Sequence, residues 1–179
     1  HLEPLGHIKI DLLGLSTLEM IESAIGHVLK RHFGVENPTF ADIKDYYDKT
    51  LHPDNIDLND QKVYKNIFHK GKFAGVFQFT NTGAQKLSIK SKPTDIIDIS
   101  AITSIYRPGP LSAGVDKLYV KAKRSGDTFY HNDIIEEVTK ETYGFLIFQE
   151  QIALLAHKLG DSITLEEGNK LRKLLTKKG

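Results

Sequence analysis

The chain has 179 residues, 40% of them hydrophobic, which suits one compact domain or a lobe of a larger one and excludes disorder throughout. Its 24 lysines and arginines against 23 aspartates and glutamates create no overall positive field, so any nucleic-acid surface must be local. The absence of cysteine excludes disulfides, thiolate metal sites and thiol nucleophiles, and no apolar run approaches the roughly 20 residues of a membrane helix, so a cytoplasmic location is expected. The chain begins at His1 and its only methionine is Met20, as expected of a segment taken from a longer parent.

In chain order, Ile8, Ile10 and Leu12 alternate with Lys9 and Asp11, which predicts a short half-buried strand ended by Gly14. From 16 to about 33, Leu18, Ile21, Ile25, Val28 and Leu29 recur at helical spacing, and Ser16 with Glu19 has the form of a capping box. Gly34 closes that helix, and Asn37-Pro38-Thr39 opens a second over about 40 to 47. A polar turn at His52-Pro53-Asp54-Asn55 leads to a helix near 61 to 70, with Val63, Tyr64, Ile67 and Phe68 on one side. Asn55, Asp57 and Asn59 imitate the first ligands of a calcium loop, but Asp60 replaces the turn glycine and Asn66 the final glutamate. The apolar segment 71 to 79 reads as a buried strand or a helix entry. Further helices are predicted near 82–89, 93–105, 111–123, 134–138, 149–159 and 165–176.

Few residues are arranged for chemistry. No two of the eight histidines adopt H-x-x-x-H spacing, and no nucleophile elbow, Walker loop or dinucleotide fingerprint is present. The i, i+3 pairs Asp42/Asp45 and Asp95/Asp98 read as solvated helix faces. Three constellations remain. Lys9-Ile10-Asp11 places a cation and a carboxylate on one strand face. In Tyr106-Arg107-Pro108-Gly109-Pro110-Leu111 two prolines and a glycine restrict a turn that presents a guanidinium, suited to phosphate or serving only as an interhelix turn. Finally, Phe148-Gln149-Glu150-Gln151 precedes a helix, and Arg172, Lys173, Lys177 and Lys178 form a basic run that reads either as a phosphate-facing patch or as a complement to a helix dipole.

Taken in order, His7-Ile8-Lys9-Ile10-Asp11-Leu12-Leu13-Gly14-Leu15-Ser16-Thr17-Leu18 resembles the K-x-D-[FL]-L-G-L-x-T-L segment of the bacterial C-family replicative polymerase alpha subunit. Gly75-Val76-Phe77-Gln78-Phe79, Lys92-Pro93-Thr94, the Tyr106 to Leu111 block, Thr142-Tyr143-Gly144, Gln149-Glu150-Gln151 and Leu171-Arg172-Lys173 follow in the family's order, and the likeness covers essentially the whole chain. Departures occur at Phe79-Thr80-Asn81-Thr82-Gly83-Ala84, where the family commonly carries a glutamate after the apolar residue, and at Phe148, where it carries tyrosine.

The resemblance implies a mainly α fold with minor β (α+β): a remnant of a polymerase β-like nucleotidyltransferase palm over residues 1–14, its strand included, then a helical fingers region over 15–179 that is incomplete at its C-terminal end. It implies a DNA-directed DNA polymerase in the full-length parent, with Asp11 as one of three aspartates that hold two Mg2+ ions, and Lys9 beside the incoming triphosphate. Arg107, Arg172, Lys173, Lys177 and Lys178 become candidates for nucleotide or DNA phosphate contacts, as do the cations between 117 and 124. Expected partners are primer-template DNA, deoxynucleoside triphosphates, the rest of the polymerase chain and other replisome subunits. The isolated fragment is expected to be inactive, and the alternative is a noncatalytic DNA-binding or polymerase-accessory module derived from the fingers.

Overall fold

The structure, a computed structural model, describes residues 6, 8, 10, 12 and 14–176 and divides into two compact units, His1–Asp57 and Leu58–Gly179. This division differs from the palm and fingers boundary implied at residues 14 and 15, which concerns a parent polymerase. Among the described residues every regular element is helical. Lys9 and Asp11 lie outside those residues, and the apolar partners of the expected strand, Ile8, Ile10 and Leu12, belong to no element and are 76–88% exposed. An alternating pattern marks a face that needs a neighbouring strand to bury it, and the described residues supply none. Among the described residues the fold is therefore mainly α, and the expected β component is not confirmed.

The first unit is a helix pair. Helix α1 (Ser16–Phe33) buries Ile25 and Leu29, and Gly34 ends it in the left-handed conformation at φ 71°. Its N-cap is Leu15 rather than Ser16, so the expected Ser16/Glu19 box is not formed. Helix α2 (Phe40–Thr50) has the box instead: the Asp42 amide donates to Thr39 Oγ1, and the Thr39 amide donates to Asp42 Oδ2 at 2.8 Å. Hydrogen bonds from the Thr39 hydroxyl and amide lower the Asp42 pKa. Asp45 pairs with Lys49 at 2.7 Å, so the Asp42/Asp45 pair is spent on the helix itself, as its exposed placement leads one to expect.

In the second unit, α3 (Gln61–Val63) runs into a π turn over Tyr64–Phe68, where the His69 amide reaches Tyr64 O at 2.9 Å. That register brings Tyr64 and Phe68 to the core together, their rings stacked with centroids 6.0 Å apart. The apolar segment 71 to 79 is neither strand nor helix but a run of turns, with Val76 N bonded to Phe73 O and Phe79 N to Val76 O. The turns send Phe73 and Phe79 inward, stacked on each other at 5.2 Å, and leave Phe77 half exposed.

Helices α4 (Thr82–Ser91), α5 (Ile96–Ile105), α6 (Pro108–Ser112) and α7 (Val115–Ser125) follow. They lead to α8 (Asp133–Thr139), a 3-10 turn at Lys140–Thr142, α9 (Gln149–Leu159) and α10 (Leu165–Thr176). α5 is apolar on nearly every side and lies between neighbours, with Ala101, Ile102 and Ile105 at 0–1% exposure. α10 packs on α9 through Gly168, where an added Cβ would meet the Ala153 carbonyl oxygen at 2.4 Å.

At the centre of this unit stands a carboxylate. Asp98, expected on a solvated face, is buried and accepts from Lys123 Nζ at 2.5 Å, Tyr119 Oη at 2.9 Å, the Thr94 amide at 2.8 Å and the Thr94 hydroxyl at 3.0 Å. Lys123 also donates to Tyr143 Oη at 2.9 Å. Asp95 forms the N-cap of α5, accepting from the Asp98 amide at 2.8 Å. Burial alone would raise the Asp98 pKa, but the Lys123 hydrogen bond, the Thr94 amide, the Lys123 charge and the Tyr119 hydroxyl outweigh it, and the net shift is downward. For Lys123 burial acts downward and is outweighed by the bonds to Asp98 and Tyr143, so its pKa is raised.

The signs define a stability window. A carboxylate whose folded pKa is depressed contributes fully above its unfolded value of about 3.9, and that contribution is lost as pH falls through the folded value. A lysine whose folded pKa is raised contributes fully below about 10.4, and the contribution is lost as pH rises through the folded value. The pair therefore stabilises throughout the neutral range. Asp98→Ala, which strands the Lys123 ammonium and the Tyr119 hydroxyl, is expected to cost about 3–5 kcal/mol in urea unfolding at pH 7. The deficit should shrink as the pH is taken below about 4. A pH-independent deficit would show that the carboxylate charge is not what the site uses.

Candidate nucleotide and nucleic-acid site

The exposed Arg107 occupies a turn whose every support can be traced. α5 ends at the buried Ile105, and the Arg107 amide folds back to Ile105 O at 2.7 Å. The Leu111 amide then bonds Arg107 O at 3.1 Å as α6 begins. Tyr106, between them, lies against the first turn of α4, where its hydroxyl donates to Asn81 Oδ1 at 2.9 Å. The same oxygen caps α4 by accepting from the Gly83 amide at 2.8 Å. Gly83 makes this approach possible, since a Cβ there would stand 2.0 Å from Tyr106 Oη. Asn81 belongs to the stretch that departs from the family pattern, and here it ties the Tyr106 turn to α4.

Two concavities share Tyr106. One, about 250 Å3, is lined by Gln78, Ala84, Thr103, Tyr106 and Arg107. Two distant motif blocks thus meet in one notch, Gln78 from the Gly75 to Phe79 block and Tyr106-Arg107 from the next. Gln78 has φ 63°, a left-handed conformation that a side chain other than glycine adopts at a cost and that recurs at ligand sites. The lining holds one guanidinium and no carboxylate, a set of donors that suits an anion. The second concavity, about 290 Å3, lies over α4 and α7 and includes Lys86, Lys90 and Lys117 beside Tyr106.

The other expected site residues are not gathered there. Arg172 bonds Gln149 Oε1 and, at 3.2 Å, Asn169 Oδ1, so it fastens α10 to the start of α9. Lys173 is exposed on the same helix, and neither residue lines the Arg107 notch. Lys9, Asp11, Lys177 and Lys178 lie outside the described residues. Among the described residues no cluster of three His, Asp or Glu side chains could hold a metal.

Gln151, singled out with Gln149 and Glu150, is an internal fastener. Its Oε1 accepts from the Ile147 and Phe148 amides at 2.8 and 2.9 Å, and its Nε2 donates to Val138 O at 3.1 Å and Thr142 Oγ1 at 2.7 Å. Sequence reading missed the Asp98 and Lys123 pair because the two lie 25 positions apart: Asp98 read as part of a solvated helix face, and Lys123 read with the cations between 117 and 124 as a candidate phosphate contact, whereas its side chain is buried on Asp98 and Tyr143.

The Gly83 and Tyr106 fit can be tested by a double-mutant cycle. Tyr106→Phe, which removes only the hydroxyl, should cost about 1 kcal/mol. Gly83→Ala should cost about 1–3 kcal/mol through the forced displacement of the ring. In a Tyr106→Ala background Gly83→Ala should become nearly neutral, measured by thermal unfolding. Additive effects would show that the two side chains do not contend for the same space.

Comparison with known proteins identifies the family. Residues 18–179 match the sequence model described as the bacterial DNA polymerase III alpha subunit finger domain. The chain is 34% identical over 99% of its length to the DNA polymerase III subunit alpha of Campylobacter jejuni. It is 35% identical over 99% of its length to that of Aquifex aeolicus, and 33% identical over 98% to that of Halalkalibacterium halodurans. In each case it spans 14% of the relative's length. The resemblance read from the motif blocks is thereby shown, and the chain belongs to the bacterial DNA polymerase III alpha subunit finger-domain family.

Proposed function

We propose that this chain forms part of the fingers of a DNA-directed DNA polymerase and that the Arg107 notch binds phosphate of the incoming deoxynucleoside triphosphate or of the primer-template. The observation that carries this reading is the convergence of Gln78, Tyr106 and Arg107 from separate motif blocks on one exposed, carboxylate-free notch. A guanidinium held on a restrained turn offers forked donors matched to phosphate oxygens. Arg172 and Lys173 are secondary phosphate contacts in this reading, with Lys177 and Lys178 beyond them.

Asp11 and Lys9 enter on the strength of the motif resemblance alone. Asp11 is proposed as one of three carboxylates for two Mg2+ ions, which in such a site clamp the attacking and leaving oxygens of the transfer. Lys9 is proposed beside the triphosphate. A single such carboxylate leaves two hard cations short of protein ligands, so the 179-residue chain should not polymerise by itself.

Steady-state primer extension by a full-length alpha subunit carrying this segment tests both parts. Asp11→Asn should lower kcat on the order of a thousandfold, a barrier increase of roughly 4 kcal/mol. Arg107→Ala should chiefly raise the KM for nucleotide, by about 10- to 100-fold if a charged hydrogen bond of roughly 1.5–3 kcal/mol is lost equally from ground and transition states. Normal turnover by the Asp11→Asn enzyme would favour the noncatalytic alternative, and an unchanged KM with Arg107→Ala would remove the notch from nucleotide binding.

A further inference from the structure

Residues 73 to 79 make two β-turns in succession. Val76 N donates to Phe73 O at 3.0 Å across the first, and Phe79 N donates to Val76 O at 3.2 Å across the second. In each turn only the third residue has a positive φ, 74° at Gly75 and 63° at Gln78, as a type II turn requires. The frame beneath them is fixed, since Phe73 and Phe79 are buried and Val76 packs on the core. What differs is the residue in the left-handed position. Gly75 meets no steric penalty there, and an added Cβ would have nothing within 4 Å, so backbone freedom alone accounts for that glycine. Gln78 bears the penalty.

The interior gains nothing in return. Gln78 is exposed, so its side chain adds no core, and among the described residues no hydrogen bond engages its amide. It lines the 250 Å3 notch with Ala84, Thr103, Tyr106 and Arg107. Two of these neighbours have already committed their hydroxyl hydrogens: Thr103 Oγ1 donates to Ser100 O at 2.9 Å, and Tyr106 Oη donates to Asn81 Oδ1 at 2.9 Å. The Arg107 guanidinium makes no ion pair or side-chain hydrogen bond among the described residues. Arg107 and Gln78 are thus the lining side chains with hydrogens left to give. A strained backbone that persists without an internal gain points to a use outside the fold.

We propose that Gln78 is a ligand-contacting residue of the notch: its Nε2 donates to an oxygen of the same phosphate that Arg107 grips, and the left-handed turn is the device that brings it there. The inference deepens the notch reading and rests on it. A guanidinium takes an anion along one forked edge, which leaves the phosphate free to turn about the axis of the fork. A second donor, from a different segment of the chain, stops that rotation. An amide suits the task because it is neutral, so it adds direction without competing for Arg107 as a carboxylate would.

Primer extension by a full-length alpha subunit carrying this segment, with nucleotide and primer-template titrated in turn, decides the matter. Gln78→Gly keeps the turn, relieves its backbone and removes the amide. It should raise one KM about tenfold, the loss of one hydrogen bond to a charged group, with kcat unchanged because ground and transition states lose the same contact. A raised KM for nucleotide assigns the phosphate to the triphosphate, and a raised KM for DNA assigns it to the primer-template. The thermal unfolding midpoint of this variant should stay level or rise. Binding lost while stability is kept is a result that a purely structural glutamine would not produce. Gln78→Glu preserves the outline but puts a charged acceptor in place of the donor, and it should raise the same KM at least as far.

Three results would overturn the proposal: both KM values unchanged in Gln78→Gly, a lowered unfolding midpoint in that variant, or a Gln78→Glu enzyme that binds as well as the original. Arg107→Ala serves as the reference. If it raises the KM while Gln78→Gly does not, the notch reading stands and only the part given to Gln78 falls. If Arg107→Ala has no effect, the notch reading itself fails and takes this inference with it. In the Arg107→Ala background Gln78→Gly should add less than about twofold, because the phosphate that both side chains hold is no longer seated. A full further loss there would put Gln78 on a different ligand and end the proposal.

Discussion

A single buried carboxylate organises the second unit. Asp98 takes a lysine, a phenol, a backbone amide and a hydroxyl, and through them it joins α5 to α7 and to the segment just before α5. Removing a charge from water is expensive, and an ion pair inside a protein roughly offsets that cost only when its remaining hydrogen-bonding positions are filled, as they are here. The gain lies in definition. A greasy α5 could rotate among its neighbours with little change in buried area, whereas one angle alone brings the carboxylate to Lys123 and Tyr119 together. α5 then delivers the Tyr106 and Arg107 turn.

Some of the motif residues face inward. In Gly75 to Phe79, the phenylalanine that ends the block is 1% exposed, while Gln78 lines the Arg107 notch. In Thr142-Tyr143-Gly144, Thr142 is fully buried, and the Tyr143 ring stands edge-on to Tyr119, 5.4 Å between centroids. Gly144, at φ 87°, passes close to Thr128. These buried members build a frame, and exposed members of the same blocks, Gln78 and Arg107 among them, reach the surface from it.

The helices were legible because their apolar spacing and their stops are local. α1, α9 and α10 fall where periodicity with glycine and threonine boundaries puts them. Residues 71 to 79 were ambiguous because four large apolar side chains in nine positions suit strand, helix or turns equally, and only the ring cluster with Phe68 settles which of them point inward. The strand over 8 to 13 was read from alternation, but alternation describes one edge of a pairing whose other edge must come from elsewhere. Asp98 was misread for a related reason: at i, i+3 from Asp95 it has the look of a solvated face, and the partners that justify its burial come from α7. The Arg107 notch was half visible, since proline and glycine announce the turn but nothing near it in sequence names Gln78 or Asn81.

Gln151 shows how finely such an interior can discriminate. Its side-chain oxygen faces two amide hydrogens, and its nitrogen faces a carbonyl and a hydroxyl oxygen, so acceptor and donor are each assigned a side. Glutamate has the same outline and nearly the same volume. Yet exchanging that nitrogen for an oxygen would set lone pairs against the Val138 carbonyl in a region where water cannot mediate, and would add a charge with no cation among its four partners. At this position shape alone cannot tell the residue from its acid. The pocket recognises which end gives a hydrogen and which end receives one, much as a base pair does.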